Sequence, residues 1–132
     1  MIREEYKDSA LTEQIIGSAM KVHRTLGNGF QELIYQRALD IELRNTGLEY
    51  SREVEMPIFY QSEKIGTRRV DFLIEGRILV ELKAVIALEN VHLAQAINYL
   101  EAFNMETGLL INFGAVSLQF KRLRNKKLKP EL

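Results

Sequence analysis

The sequence predicts an α/β fold in which helices flank a central mixed sheet, in the order α-α-β-β-β-α-β-β. Three observations predict it. Apolar residues recur at helical spacing up to Asn45, they alternate with polar residues from Tyr50 onward, and a later helical pattern separates two apolar strands. A strand, a helix and a strand in succession form a crossover connection, so those two strands are expected to be parallel.

Two helices are predicted before the sheet. The first begins near Thr12, which can cap it, and ends at Gly27. Its apolar residues repeat at intervals of three and four: Ile15, Ala19, Val22 and Leu26. The second runs from about Phe30 to Asn45, and three of its residues are expected to face inward: Ile34, Ala38 and Ile41. Because the link is short, the two helices are expected to pack against each other.

Three strands follow, joined by short turns. The first covers residues 49–60, and Pro57 places it at an edge or a bulge of the sheet. The second covers residues 65–75 and the third covers residues 77–85, with Gly76 turning the chain between them.

The remainder of the chain predicts one helix and two strands. The helix covers residues 88–104 and has an apolar face: Leu93, Ala96, Ile97, Leu100 and Phe103. The strands cover residues 108–113 and 115–122. The first of them is nearly all apolar, so it is expected inside the sheet.

The composition is that of an ordinary globular protein. With 132 residues, 46% of them hydrophobic and 27% charged, the sequence predicts one domain over residues 1–132 with a core of residues 11–122. The absence of cysteine excludes disulfides and thiolate metal sites, and it suits the cytoplasm. The first eight residues are too charged for a signal peptide, and the apolar stretches are far below the roughly 20 residues that span a bilayer, so no membrane association is expected.

Charge is balanced overall but unevenly distributed. Of 18 basic and 18 acidic residues, six basic and one acidic lie in the tail at residues 121–132. The rest of the chain therefore has 12 basic and 17 acidic residues and is mildly acidic. The basic tail can attract a phosphate backbone, or it can simply be a solvated end of the chain.

Three charged residues on the second and third strands form the candidate site. Asp71 lies on the second strand, and Glu81 and Lys83 share one face of the third. In a hairpin around Gly76, Asp71 and Glu81 lie almost opposite each other, with Cβ atoms roughly 5 Å apart. The second strand is expected to turn its apolar residues to the other face: Val70, Phe72 and Ile74.

Two carboxylates this close repel each other unless a cation lies between them. Mg²⁺, with Mn²⁺ as a substitute, suits this position because it binds carboxylate oxygens and keeps several waters. Lys83 beside it can help to orient and deprotonate a water, or it can neutralise charge on a phosphoryl transition state. The alternative is cross-strand ion pairing on a solvated face, which explains Glu81 and Lys83 without any function.

The sequence also resembles a known family. Asp71, with Glu81-Leu82-Lys83 on the next strand, resembles the bipartite motif of the PD-(D/E)xK nuclease superfamily, although Arg69-Val70 stands where the superfamily's name has a proline. Gly29-Phe30-Gln31-Glu32-Leu33-Ile34-Tyr35 resembles the signature of the bacterial GxxExxY proteins, which are placed within that superfamily. Two further segments are similar to the same family: residues 22–27 and 95–100. The resemblance covers nearly the whole chain, about residues 11–122.

This resemblance implies a restriction-endonuclease-like core and Mg²⁺-dependent hydrolysis of phosphodiester bonds in DNA or RNA. It implies that Asp71 and Glu81 bind the metal and that Lys83 is the catalytic lysine. It also implies that Glu32, on an earlier helix, brings an additional acidic residue to the site. The alternative for Glu32 is an ordinary surface position, because the first turn of a helix favours an acidic residue.

Three further residues are candidates for substrate binding. Tyr35 lies one helical turn beyond Glu32, where it can line the cleft or simply pack. Gln95 and Tyr99 share a stripe of the third helix, and Gln95 can hold a phosphate or a water on the metal. His23 is embedded in an apolar stripe and is expected to be a hydrogen-bonded structural histidine.

A metal-dependent nuclease competes with two other interpretations. The fold can serve as a non-catalytic module that binds nucleic acid or a protein, which the acidic body and the small size favour. The edge strand can pair with a partner, although Pro57 and the charged alternation on that strand discourage pairing. The sequence leaves open the substrate, the protein partner and whether the chain forms a homodimer.

Overall fold

The computed structural model describes residues 8–130, and within them it has three helices and five strands. The elements are α1 Ser9–Leu26, α2 Glu32–Arg44, β1 Tyr50–Tyr60, β2 Glu63–Ile74, β3 Ile78–Lys83, α3 Asn90–Ala102, β4 Thr107–Asn112 and β5 Gln119–Arg124. The strands form one sheet in the order β1-β2-β3-β4-β5, with β3 and β4 parallel and the other neighbours antiparallel. The predicted element order and the parallel crossover are therefore confirmed.

Buried apolar residues form two clusters, one on each face of the sheet. The larger lies against α1 and α2 and includes Phe72 and Val80 from the central strands. The smaller lies against α3 and includes Leu79 and Leu110. Because helices cover both faces, the predicted fold class, a mixed sheet flanked by helices, is confirmed.

The first helix begins earlier than predicted. It starts at Ser9, and Thr12 lies inside the first turn, where its hydroxyl donates to the Ser9 carbonyl oxygen at 3.1 Å. The prediction that Thr12 caps this helix is therefore wrong, because its hydroxyl is used within the turn. Ile15, Ala19 and Val22 are buried as predicted.

The second helix buries a different stripe from the predicted one. Ile34 and Ile41, expected to face inward, are 40% and 52% exposed. The buried stripe contains Tyr35, Leu39 and Leu43 instead. Two apolar stripes run along this helix, and the one that packs places the aromatic ring of Tyr35 against Phe113, with the ring centroids 4.6 Å apart.

The strands β2 and β3 separate at Asp71. Their ladder contains three pairs and ends at Phe72 and Val80, whereas the β1–β2 ladder continues to Tyr60 and Glu63. Beyond Asp71, β1 and β2 therefore form a two-stranded arm. β1 is the edge strand, as Pro57 predicted, and a bulge follows between Ile58 and Phe59. The divergence of β2 from β3 opens a fork in the sheet.

The side chains of β2 change face at this fork. Val70 packs in the α3 cluster, whereas Phe72 and Ile74 pack in the α1–α2 cluster, so the prediction that the three share one face is wrong. The cause is local: Glu53 of β1 has a φ of 55°, and the ladder skips its pairing with Asp71. The strand twists there, so the Asp71 carboxylate is turned toward β3.

The tail packs against the body as far as Lys129. β5 begins at Gln119, later than predicted, because residues 114–117 form a bend. The Ala115 carbonyl in this bend lies 2.9 Å from His23 Nε2, which confirms a hydrogen-bonded structural histidine. In the basic tail, Lys129 exchanges two hydrogen bonds with the Asn104 side chain, so this segment is held against the end of α3. Within residues 8–130, no helix is both long and apolar enough to cross a bilayer.

Candidate active site

Asp71 is held at the fork by two hydrogen bonds from different elements. Its Oδ2 accepts from the Leu82 backbone N–H of β3 at 2.8 Å, and its Oδ1 accepts from Gln36 Nε2 of α2 at 2.7 Å. Continuing the β2–β3 register by one step places Asp71 opposite Glu81. The carboxylate is thus fixed in position between the sheet and α2.

Glu81 is the most deeply buried member of the site, with 2% of the residue exposed. Its Oε2 accepts from Arg68 Nη2 at 2.7 Å, while its Oε1 is buried and has no hydrogen-bond partner among residues 8–130. Burial, with the nearby Asp71 as a second cause, raises the pKa of Glu81 to about 7, although Arg68 and Lys83 oppose the shift. One carboxylate oxygen is therefore left available for a ligand.

Lys83 and Glu32 bring one further cation and one further carboxylate close to Asp71. Lys83 Nζ donates to Gln95 Oε1 of α3 at 3.1 Å. Glu32 is the first residue of α2, and desolvation raises its pKa, with Lys83 lowering it and Asp71 raising it. Because Lys83 and Asp71 both shift the pKa of Glu32, α2 brings this third acidic side chain to the same site.

Two side chains at the site were not predicted from the sequence, Arg68 and Gln36. The Arg68 guanidinium carbon lies 5.0 Å from the centroid of the Tyr99 ring, so Arg68 lies between Glu81 and α3. Alternation along β2 places Arg68 on the same face as Val70, opposite Asp71, so the pattern does not predict a role for Arg68 at the site. Gln36 lies four residues after Glu32 on α2, and that spacing was an available signal.

The three candidate substrate-binding residues have different positions. Tyr35 is fully buried; its hydroxyl donates to the Gly27 carbonyl oxygen at 2.6 Å and accepts from Phe30 N–H at 3.1 Å. Tyr35 therefore packs in the core and does not line a cleft open to substrate. Gln95 lies at the site but contacts Lys83. Tyr99 lies at the site beside Arg68.

We expect Tyr35→Phe to lower the free energy of unfolding by about 1–2 kcal/mol, because the Phe30 N–H and the Gly27 carbonyl lose a shared partner. The same bonds hold the link between α1 and α2 just before Glu32. Urea unfolding of the variant and the parent measures this loss. A variant as stable as the parent would show that these hydrogen bonds do not hold the link.

The donor set at the fork fits a hard divalent cation. Asp71 and Glu81 supply carboxylate oxygens, and Glu81 Oε1 is buried without a hydrogen-bond partner in the described part of the chain. Across residues 8–130, no group of three or more His, Cys, Asp or Glu side chains is arranged to hold a metal ion. Mg²⁺ is commonly bound through one or two carboxylates and keeps several waters, so the two carboxylates at the fork suit it.

The raised pKa of Glu81 predicts how stability depends on pH in EDTA. The ordinary value is 4.5 and the folded value is about 7, so the native state holds a proton that the unfolded chain has lost, and stability falls as the pH rises from 4.5 to 7. The full difference is on the order of 3 kcal/mol. We expect Glu81→Gln to be about 2 kcal/mol more stable than the parent at pH 8 and within about 1 kcal/mol of it at pH 5.

Thermal and urea unfolding at the two pH values measure this difference. A Glu81→Gln variant that is less stable than the parent at pH 8 would show that the Arg68–Glu81 ion pair outweighs the desolvation of the carboxylate.

The chain is similar to known proteins in its fold and in its sequence. The fold is similar to that of the crystal structure of SSO0001, with a TM-score of 0.58 and 21% identity over 92% of this chain and 60% of that one. This chain thus spans about 60% of the length of SSO0001, and at this identity the likeness concerns the fold alone. No curated protein matches the sequence. A family model of the PD-(D/E)XK nuclease superfamily matches residues 9–123. Because this match spans both the fork and the helices around it, the chain belongs to the PD-(D/E)XK nuclease superfamily.

Proposed function

We propose that this protein is a metal-dependent nuclease that hydrolyses phosphodiester bonds of DNA or RNA. Asp71 and Glu81 hold Mg²⁺, or Mn²⁺ in its place, and Lys83 is the catalytic lysine. One observation carries the proposal. The fork gathers two carboxylates and a lysine at the point where β2 leaves β3, with one buried carboxylate oxygen unpartnered in residues 8–130.

The residues around the fork have distinct tasks in this reaction. A bound divalent cation supplies positive charge for the phosphate oxygens and activates water. Asp71 is fixed by Leu82 N–H and Gln36, so its carboxylate needs no reorganisation to bind. Lys83, steadied by Gln95, holds its ammonium beside the carboxylates, where it orients the attacking water and stabilises negative charge developing on the phosphate.

Within the superfamily, we assign the protein to the GxxExxY group. The assignment rests on Gly29, Glu32 and Tyr35, the three named positions of that signature. The hydrogen bonds of Tyr35 give the spacing a physical reason, because they hold the link that precedes Glu32. Glu32 then adds negative charge within the electrostatic reach of Lys83, and it is the third acidic residue of the proposed site.

One observation favours the rival function, a non-catalytic module that binds nucleic acid or a protein. Arg68 already neutralises Glu81, so the buried carboxylate has a cationic partner without any metal. If that ion pair is permanent, Glu81 is a structural residue and the fork is not a metal centre.

The two functions are separated by incubating the purified protein with labelled single- and double-stranded DNA and RNA, in Mg²⁺, Mn²⁺ or EDTA. The nuclease predicts cleavage of at least one substrate with metal and none in EDTA. Calorimetry with Mn²⁺ accompanies the assay. Absence of both cleavage and Mn²⁺ binding would overturn the nuclease proposal in favour of the binding module.

A further inference from the structure

Arg68 has an unusual position for a residue that serves only as a counter-ion. Its Nη2 donates to Glu81 Oε2 at 2.7 Å, yet its Nε is buried and has no hydrogen-bond partner in the described chain. Its side chain remains 32% exposed, so Arg68 is not sealed in the core as Glu81 is. A guanidinium has five N–H donors in a rigid fork, and much of that capacity is unused toward Glu81.

The ring of Tyr99 gives the guanidinium a second support that does not depend on Glu81. The Arg68 guanidinium carbon lies 5.0 Å from the ring centroid, and Tyr99 is itself stacked on Phe103, the residue that follows α3. A cation over an aromatic face is attracted to it even when its carboxylate partner is engaged elsewhere. Arg68 can therefore leave Glu81 without leaving the site.

The charges at the fork give a reason for such a change of partner. Glu32, Asp71 and Glu81 are three acidic groups, and Arg68 and Lys83 are two cations that interact with them. Adding a divalent cation makes the site positive, and it places that cation on the same carboxylate as Arg68. The guanidinium then lies next to a second cation, and a substrate phosphate is the anion that relieves this repulsion.

We propose that Arg68 is a phosphate-contacting residue: it neutralises Glu81 in the metal-free protein and, when a divalent cation takes that carboxylate, turns to the substrate phosphate while Tyr99 supports it. This inference rests on the proposed function, because it requires the metal centre at Asp71 and Glu81. It also accounts for the observation that favoured the binding module, since the Arg68–Glu81 pair is one of two states of the same residue.

Mn²⁺ affinity without nucleic acid tests the first half. Arg68→Gln is compared with the parent and with Arg69→Gln, which removes the same charge from the next, exposed residue of β2. Calorimetry at about pH 8.5 keeps proton competition for the carboxylates small. We expect Arg68→Gln to bind Mn²⁺ about tenfold more tightly, because it loses a competing cation, and Arg69→Gln to stay within about twofold of the parent.

Nucleic-acid affinity tests the second half, in a Lys83→Ala background that slows cleavage and with binding read before product accumulates. Anisotropy of a labelled oligonucleotide is measured with Mn²⁺ and with EDTA. We expect Arg68→Gln to weaken binding about tenfold with Mn²⁺ and less than about twofold in EDTA, where the parent's Arg68 is engaged by Glu81. Arg69→Gln is expected to have the same small effect in both conditions.

The outcomes separate the possibilities. Weaker or unchanged Mn²⁺ binding by Arg68→Gln would show that Arg68 only holds Glu81 in place. An equal loss of oligonucleotide binding with and without metal would show that Arg68 is an ordinary phosphate contact. Either result overturns the proposal. If Arg68→Gln does not fold, Arg68→Lys takes its place. We expect its Mn²⁺ affinity to rise and its oligonucleotide affinity with Mn²⁺ to fall, each by about threefold, because an ammonium makes fewer contacts than a guanidinium. If both affinities equal those of the parent, the proposal is overturned. A parent that does not bind Mn²⁺ refutes the metal centre itself.

Discussion

Lys83→Ala is expected to reduce metal-dependent cleavage by about 10²–10³-fold while leaving the protein folded. Lys83 lies at the end of β3, is only partly buried, and donates to Gln95 rather than to a core residue. Its removal therefore leaves no buried group unpaired, and the loss falls on the chemistry. Single-turnover cleavage with saturating enzyme measures it, because this isolates the chemical step from binding.

The matched control for this prediction is Lys21→Ala. Lys21 lies on α1, and its Nζ is 3.2 Å from Glu42 Oε1, so the substitution removes the same charge from an ion pair away from the fork. The control is expected to cleave at the parent's rate and to unfold within about 0.5 kcal/mol of it. Equal cleavage by Lys83→Ala and Lys21→Ala would refute a catalytic role for Lys83.

Asp71→Asn is expected to weaken Mn²⁺ binding by at least about 100-fold and to abolish metal-dependent cleavage. The substitution removes a negative charge and one hard oxygen ligand from a site that has only two carboxylates to offer, and a factor of 100 corresponds to about 2.7 kcal/mol. The fold tolerates it, because the Gln36 amide can rotate so that its Oε1, otherwise buried without a partner in the described residues, accepts from the new Nδ2.

Asp40→Asn is the control, because Asp40 Oδ1 also accepts a hydrogen bond, from the Tyr50 hydroxyl at 2.7 Å. Both variants lose a carboxylate that accepts such a bond, yet only Asp71→Asn is expected to lose Mn²⁺ binding. Calorimetry on the three proteins, with circular dichroism to verify the fold, makes the comparison. Retained Mn²⁺ affinity in Asp71→Asn would mean that the metal, if bound, lies elsewhere.

The parts of the site that lie on one hairpin could be predicted from the sequence. A turn at Gly76 fixes the register of β2 and β3, so the opposition of Asp71 and Glu81 follows from counting residues on either side of it. The position of Lys83 beside them follows from the period of two along β3. The helical spacing of α3 likewise brings Gln95 and Tyr99 to one stripe, and both lie at the site.

Residues whose position depends on twist could not be predicted. Arg68 reaches Glu81 because β2 changes face at Asp71, and the cause is a positive φ at Glu53 on the neighbouring strand, where the sequence has no glycine to signal it. On α2, the stripes with Ile34 and with Tyr35 are both apolar, and tertiary packing against Phe113 selects the second. Contacts between segments that are distant in the sequence decide which face of β2 and which stripe of α2 are buried.

The most direct test of the metal centre is a crystal structure of the protein grown with Mn²⁺, with an anomalous difference map recorded for manganese. A peak within coordination distance of Asp71 and Glu81, about 2.0–2.3 Å from their oxygens, is the predicted result, with Arg68 withdrawn from Glu81. A map without a peak at the fork, with the Arg68–Glu81 ion pair intact at saturating Mn²⁺, would contradict a metal-dependent site and leave a nuclease fold that acts by binding.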